Sequence, residues 1–214
     1  MAQHEVDAFV CSSATNRRYL TGFTGSAGTV VVGREAAFLL VDFRYVEQAK
    51  AQAPGLEIVH YDDLYKRLGE VLSKLKAQRV AFEAQHVTVA AKNKMEEKLP
   101  DVSWVPVESW VENLRAVKEP DELAAIEAAV ALADRAFEYI IPRLKGRTEK
   151  EVAFDLEFFM RKEGASKLAF DIIVASGENG ALPHARPTDR VISTGDLVTL
   201  DFGCVVDGYC SDMT

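Results

Sequence analysis

Cysteine is scarce in this chain, with three residues among 214, and no apolar run approaches the roughly 18 residues of a membrane-spanning helix. So few cysteines do not form a disulfide framework, and we expect free thiols, a reducing compartment and a cytoplasmic protein. Residues 1–5 contain no basic segment followed by an apolar run, so no secretory signal is predicted. Lysine and arginine number 25 against 33 acidic residues. This net charge of -8 argues against nucleic acid as the main partner, and no membrane contact is expected.

The rest of the composition is ordinary for a globular protein, with 48% hydrophobic and 27% charged residues. The length fits one large domain or two small ones, and two different patterns meet near residue 118. In the first part, strand-like runs alternate with a helical pattern over residues 65–75, which is typical of an α/β layer structure. The strand-like runs are residues 7–11, 28–32, 36–41 and 79–82. A loop with three glycines, Gly22, Gly25 and Gly28, separates the first two runs.

After residue 118, two helices are followed by strands, which indicates an α+β arrangement. Pro120 suits the first turn of an amphipathic helix that lasts until Pro142. Its apolar stripe consists of Leu123, Ile126, Val130, Phe137 and Ile141. Thr148 and Glu151 form a capping box for the second helix, whose stripe is Val152, Leu156 and Phe159 or Met160. Strands are predicted around residues 170–175, 191–192 and 197–202.

The last strands contain a hairpin with two aspartates. Asp207-Gly208 between apolar runs is a strong signal for a two-residue turn. With that turn, Gly203 lies opposite Asp212, and Asp201 shares the face of both, because side chains alternate along a strand. The two carboxylates are then diagonal neighbours with Cα atoms roughly 7–8 Å apart. Such a pair leaves room for a cation between its oxygens.

An aspartate inside an apolar strand requires a partner, because burying an unpaired carboxylate is unfavourable. The residues alone leave two interpretations of Asp201 equally open: pairing with an arginine or backbone N–H groups, or binding of a metal ion. For Asp212 the structural alternative is a solvated residue at a strand end. Cys204 and Cys210 lie on opposite faces in this register, so both are predicted to be buried free thiols.

Three segments carry a resemblance to a known family. They are residues 16–26 (NRRYLTGFTGS), residues 181–185 (ALPHA), and the pair LDFG at 200–203 with SDMT at 211–214. Together and in this order, they resemble the creatinase/Xaa-Pro aminopeptidase/methionine aminopeptidase superfamily, peptidase family M24, in its Xaa-Pro aminopeptidase and dipeptidase branch. The resemblance implies an α/β N-terminal domain of the creatinase type over residues 1–117. It also implies the first half of an α+β pita-bread catalytic domain over residues 118–214.

The resemblance also implies a reaction. Members of this branch hydrolyse the bond before proline in short peptides with a water held by two divalent ions, such as Mn, Co or Zn. By position, Asp201 and Asp212 match two of the metal ligands, and His184 matches a histidine that assists the substrate. Two ions lower the pKa of a bridging water and polarise the scissile carbonyl. A homodimer is expected by resemblance only.

One departure from the family pattern is large. The chain stops at Thr214, before the family's remaining ligands, one His and two Glu, and His4, His60 and His86 all lie in the first part. Two carboxylates alone are a poor site for a metal pair, so the 214-residue chain is expected to be an incomplete and inactive part of the enzyme. Two alternatives remain open: a creatinase-like amidinohydrolase, and a non-catalytic pita-bread protein that binds peptides or partners.

Overall fold

The computed structural model describes residues 5–214, so the first four residues of the predicted signal-free N-terminus lie outside the described part. The chain divides into two compact units, Met1–Val117 and Lys118–Thr214. Among the described residues, no helix combines the length and the apolar character that crossing a membrane requires.

The first unit is a six-stranded mixed sheet with helices between its strands. Its elements are β1 (Ala8–Cys11), α1 (Ala14–Thr21), β2 (Thr29–Gly33), β3 (Ala37–Val41), α2 (Val46–Gln52), β4 (Glu57–His60), α3 (Leu64–Lys74), β5 (Arg79–Glu83), α4 (Val89–Lys98), β6 (Ser103–Val107) and α5 (Trp110–Ala116). The strand order is β4-β3-β2-β1-β5-β6. β2 is antiparallel to both neighbours, and the other pairs are parallel. The predicted α/β structure is confirmed.

Both faces of this sheet are covered. Phe9 and Cys11 of β1 lie in one hydrophobic cluster, whereas Ala8 and Val10 lie in another. Because neighbouring residues of a strand point to opposite faces, the central strands are buried on both sides. That explains why they are continuous apolar runs and not alternating patterns.

Helix α1 is absent from the sequence prediction, and its buried residues explain why. They are Asn16 and Arg17, so its inward face is polar and shows no hydrophobic periodicity. The Arg17 guanidinium donates to the carbonyl oxygens of Gly25 (2.6 Å) and Gly28 (2.8 Å), which ties the glycine loop to the helix. The Asn16 amide donates to Glu83 at 2.8 Å. The segment NRRYLTGFTGS thus holds the first unit together through buried polar contacts.

The second unit consists of two helices and short antiparallel strands. Its elements are α6 (Pro120–Ile140), α7 (Glu149–Lys162), β7 (Lys167–Leu168), β8 (Ile173–Ser176), β9 (Val198–Asp201), β10 (Cys204–Val206) and β11 (Tyr209–Cys210). β8 pairs with β9, and β10 lies between β7 and β11. The predicted strand at residues 191–192 is wrong, because Val191 makes only an isolated bridge with Thr148.

The two helices differ in how well their patterns predict burial. On α7, Val152, Leu156 and Met160 are fully buried, as the stripe indicates. On α6 the predicted stripe is wrong. Four large residues of this stripe are 41% to 49% exposed: Leu123, Val130, Phe137 and Ile141. Ile141 lies just beyond the end of α6. The buried face of α6 consists instead of Ala129, Leu132, Ala133, Ala136 and Ile140. Small side chains allow closer packing, and a pattern of large apolar residues does not reveal them.

Candidate active site

The hairpin that carries the two aspartates forms in the predicted register. Val206 pairs with Tyr209, and Phe202 forms an isolated bridge with Met213. Between the strands, Asp207 and Gly208 have φ angles of 46° and 81°, which is the conformation of a tight primed turn. The predicted turn and register are therefore confirmed.

The two faces of this hairpin have different surroundings. Phe202 and Cys204 are fully buried and belong to the core of the second unit, together with Leu200. Alternation along the strands places Asp201 and Asp212 on the opposite face. Asp201 is half-buried, and Asp212 is exposed. Each carboxylate thus points away from the apolar core.

Gly203, between these positions, permits a close approach of the two strands. A Cβ atom built on Gly203 would lie 2.0 Å from the carbonyl oxygen of Ser211. The ladder is distorted at the same place, because the Cys204 N–H donates to the Ser211 hydroxyl at 3.1 Å. The Ser211 N–H donates to the Cys204 carbonyl at 2.9 Å, so the strands remain paired. Glycine at this position lets the backbone bring Asp212 beside β10.

The Asp201 carboxylate lacks the structural partner that one interpretation requires. Within residues 5–214 it forms no hydrogen bond and no ion pair. The structural alternative, an arginine or backbone N–H partner, is therefore wrong for the described part of the chain. A half-buried carboxylate without a donor is instead suited to a cation.

His184 lies in residues 177–187, the first part of the connection between β8 and β9, which we call the His184 segment. The segment begins with a 3-10 turn, Gly177–Ala181, and the His184 side chain is exposed. It has no hydrogen-bond partner among the described residues. No hydrogen bond within the described part of the chain therefore orients the imidazole.

Glu149, at the start of α7, is a buried acidic residue that contacts the His184 segment and that no pattern in the sequence singles out. Its side chain is 0% exposed and accepts hydrogen bonds from both ends of the His184 segment. The Ser176 N–H and hydroxyl donate to Oε1 at 2.6 Å and 2.8 Å. The Asn179 amide (2.8 Å), the Thr188 N–H (2.9 Å) and the Thr188 hydroxyl (2.6 Å) donate to Oε2. Burial raises the pKa of the Glu149 carboxyl, but hydrogen bonds from Thr188 and Ser176 outweigh it and lower that pKa to about 2.

An ion pair between Arg190 and Asp196 supports the Glu149 carboxylate through Ser176. Arg190 donates to both carboxylate oxygens of Asp196, at 2.7 Å and 2.9 Å, and to the Ser176 hydroxyl at 2.6 Å. Hydrogen bonds from Arg190 and from the Ser193 N–H lower the pKa of Asp196 to about 2. Since the Ser176 hydroxyl accepts from Arg190, its own proton is directed at Glu149.

The lowered pKa of Glu149 gives the second unit a pH-dependent stability. An ordinary value of 4.5 in the unfolded chain, against about 2 in the fold, means that the unfolded chain binds more protons between these values. The contribution is complete above about pH 5 and decreases as the pH falls towards 2. Urea unfolding at pH 7, 4 and 3 is expected to give decreasing stability. A Glu149→Gln variant should show a shallower pH dependence, and an unchanged slope would contradict this prediction.

The structure brings together only part of the predicted site. Asp201 and Asp212 share a face, but no group of three or more His, Cys, Asp or Glu side chains that could hold a metal ion occurs among residues 5–214. The three cysteines are free; Cys11 and Cys204 are buried. Cys210 is exposed, so its predicted burial is wrong: it lies on the face of Asp212, away from the core.

Comparison with known families accounts for all of the chain except residues 118–123. Residues 1–117 match the creatinase/prolidase N-terminal domain, and residues 124–214 match metallopeptidase family M24. The chain belongs to the creatinase/Xaa-Pro aminopeptidase/methionine aminopeptidase superfamily, peptidase family M24. It combines a creatinase-type N-terminal domain with the first part of the pita-bread M24 domain, which confirms the predicted fold class.

Individual relatives are similar over nearly the full chain. An uncharacterized peptidase of Bacillus subtilis is 43% identical over 98% of this chain. The structure of an Xaa-Pro dipeptidase from Bacillus anthracis superposes with a TM-score of 0.94 at 41% identity over 99% of the chain. That of an X-Pro aminopeptidase from Thermotoga maritima gives 0.92 at 33% identity over 97%. The chain spans 60%, 60% and 61% of these three relatives, respectively.

Proposed function

We propose that this M24 family member hydrolyses the peptide bond before proline in short peptides, as a metal-dependent Xaa-Pro aminopeptidase or dipeptidase. The observation that carries the proposal is the half-buried Asp201 carboxylate, which has no partner among residues 5–214 and shares a face with Asp212. The names of relatives that match 97% to 99% of the chain support the choice of substrate.

In this proposal, residues 118–214 supply the first part of the catalytic domain, and residues 1–117 form a separate N-terminal domain. Asp201 and Asp212 hold divalent ions such as Mn, Co or Zn, two of them in the complete site. The ions, when bound, supply a water of lowered pKa and polarise the scissile carbonyl. His184 donates a hydrogen bond to the substrate near pH 7, and its exposed ring allows that contact. We propose a cytoplasmic homodimer.

The test compares two proteins: the 214-residue chain and the same chain continued by the rest of its reading frame. Each is assayed for hydrolysis of an Xaa-Pro dipeptide and a longer Xaa-Pro peptide, with added Mn or Co, and with a chelator. We expect no turnover by the 214-residue chain, because two carboxylates leave each ion with too few ligands. The extended protein is expected to cleave, and the chelator should stop it reversibly.

Three outcomes would contradict the proposal. Chelator-sensitive turnover by the 214-residue chain would mean that its own residues complete the metal site. Chelator-resistant turnover of an amidino compound by the extended protein would favour the creatinase-like alternative. Peptide binding without cleavage by the extended, metal-loaded protein would favour a binding protein with this fold.

A further inference from the structure

We infer that Glu149 is a positioning residue: its buried carboxylate fastens both ends of the His184 segment and thereby fixes the backbone that carries the imidazole. This inference rests on the proposed function, because it assigns His184 a role at the substrate.

The hydrogen-bond donors of Glu149 lie on both sides of His184 in the sequence. Ser176 ends β8 just before the segment, and Thr188 follows His184 by four residues. Both donate a backbone N–H to Glu149, so the carboxylate joins the two ends of the segment directly. Asn179 provides a third attachment inside the segment.

Asn179 links the Glu149 carboxylate to the neighbours of His184. The Asn179 amide also donates to the carbonyl oxygen of Arg186 at 3.2 Å, two residues beyond His184. Leu182, two residues before His184, donates its N–H to the Asn179 carbonyl at 3.1 Å. Asn179 therefore braces the chain on both sides of His184 and is itself held by Glu149.

Among the described residues, the imidazole of His184 is held through its backbone and not by hydrogen bonds of its own. His184, Leu182 and Pro183 are exposed, and the His184 side chain has no hydrogen-bond partner among the described residues. The backbone at His184 is held by the buried Ala185, whose N–H donates to the Leu182 carbonyl at 3.2 Å, and by the contacts of Asn179. The Glu149 hydrogen bonds join this local structure to α7 and restrain the backbone that carries the imidazole.

The principal test uses a Glu149→Gln variant of the full-length protein. Glutamine keeps the size of the side chain but replaces one acceptor oxygen with an amide NH₂, which opposes the N–H and O–H donors of Ser176 or Thr188. We expect kcat for an Xaa-Pro peptide to fall about 10- to 100-fold, with bound metal unchanged. The matched control is Glu157→Gln on the same helix, whose partly exposed carboxylate pairs with Arg161 and with no other group in residues 5–214, and it should cleave at the parental rate.

A second measurement reads the segment itself. Hydrogen exchange of the Ser176 and Thr188 amides should become at least about 10-fold faster in Glu149→Gln, while amides of α6 keep their protection. An Asn179→Ala variant retains Glu149 and removes only the side-chain amide that joins Glu149 to the Arg186 carbonyl. It should lower kcat in a protein whose thermal unfolding matches the parent, which covers the case in which Glu149→Gln does not fold.

The outcomes separate this inference from the proposed function. If the parent and Glu157→Gln cleave, a parental kcat in both Glu149→Gln and Asn179→Ala overturns the positioning role. Unchanged exchange of the Ser176 and Thr188 amides overturns the attachment itself. If the parent cleaves no Xaa-Pro peptide, the proposed function fails, and exchange alone decides whether Glu149 restrains the segment.

Discussion

Replacing Asp201 with asparagine is expected to lower Xaa-Pro hydrolysis by the full-length protein about 1000-fold or more while leaving its stability unchanged. The loss of activity follows from the proposed role of Asp201 as an anionic metal ligand. The unchanged stability follows from the absence of any hydrogen bond or ion pair to this carboxylate within residues 5–214. A ΔΔG of unfolding within about 0.5 kcal/mol is expected. Steady-state kinetics, metal analysis and urea unfolding of the metal-free protein provide the three measurements.

The control for this experiment is Asp171→Asn, which changes an exposed aspartate of the same unit and should leave both activity and stability intact. A structural carboxylate would behave differently from a metal ligand. If Asp201→Asn retained turnover but destabilised the protein by about 2 kcal/mol, Asp201 would have a structural partner, and the metal interpretation would be wrong.

A Gly203→Ala variant is expected to lose about 3 kcal/mol of stability in the second unit and to lose activity with it. The new Cβ would lie 2.0 Å from the Ser211 carbonyl oxygen, a backbone atom that cannot move without opening the hairpin. Separation of the strands also displaces Asp212, which follows Ser211 in the sequence. Urea unfolding measures the first effect, and peptide hydrolysis measures the second.

The matched control for Gly203 is Gly55→Ala, because a Cβ at Gly55 meets nothing within 4 Å. This variant should be as stable as the parent, or slightly more stable through reduced chain entropy in the unfolded state. Parental stability of Gly203→Ala would show that the strands separate easily, and that the close approach does not define the position of Asp212.

Local patterns in the sequence predict local structure well in this protein. The hairpin register is predictable because the Asp207-Gly208 turn and the alternation of side chains are both encoded within a few residues. The buried stripe of α7 is predictable for the same reason. On α6 the pattern fails because both faces are apolar, and the side with alanines, not the side with Val130 and Phe137, packs in the core.

The candidate site is predictable only in part. Resemblance to the family identifies Asp201, Asp212 and His184, and the register confirms that the aspartates share a face. Glu149 is invisible to the same reasoning, because its hydrogen-bond donors follow it by 27 to 39 residues. In sequence it is one of several acidic residues at a helix start, where glutamate is common for reasons of the helix dipole.

The hairpin also influences how the site assembles during folding. Its pairs join residues that are close in sequence, from Val206 with Tyr209 to Phe202 with Met213, so closing it requires little loss of chain entropy. Hairpins of this kind form in about 1–10 μs. The contacts of Glu149 span much longer loops and need α7 and β8 in place first. The aspartate face is therefore an early and local product of folding, whereas the contacts of Glu149 with the His184 segment form only when the tertiary structure closes.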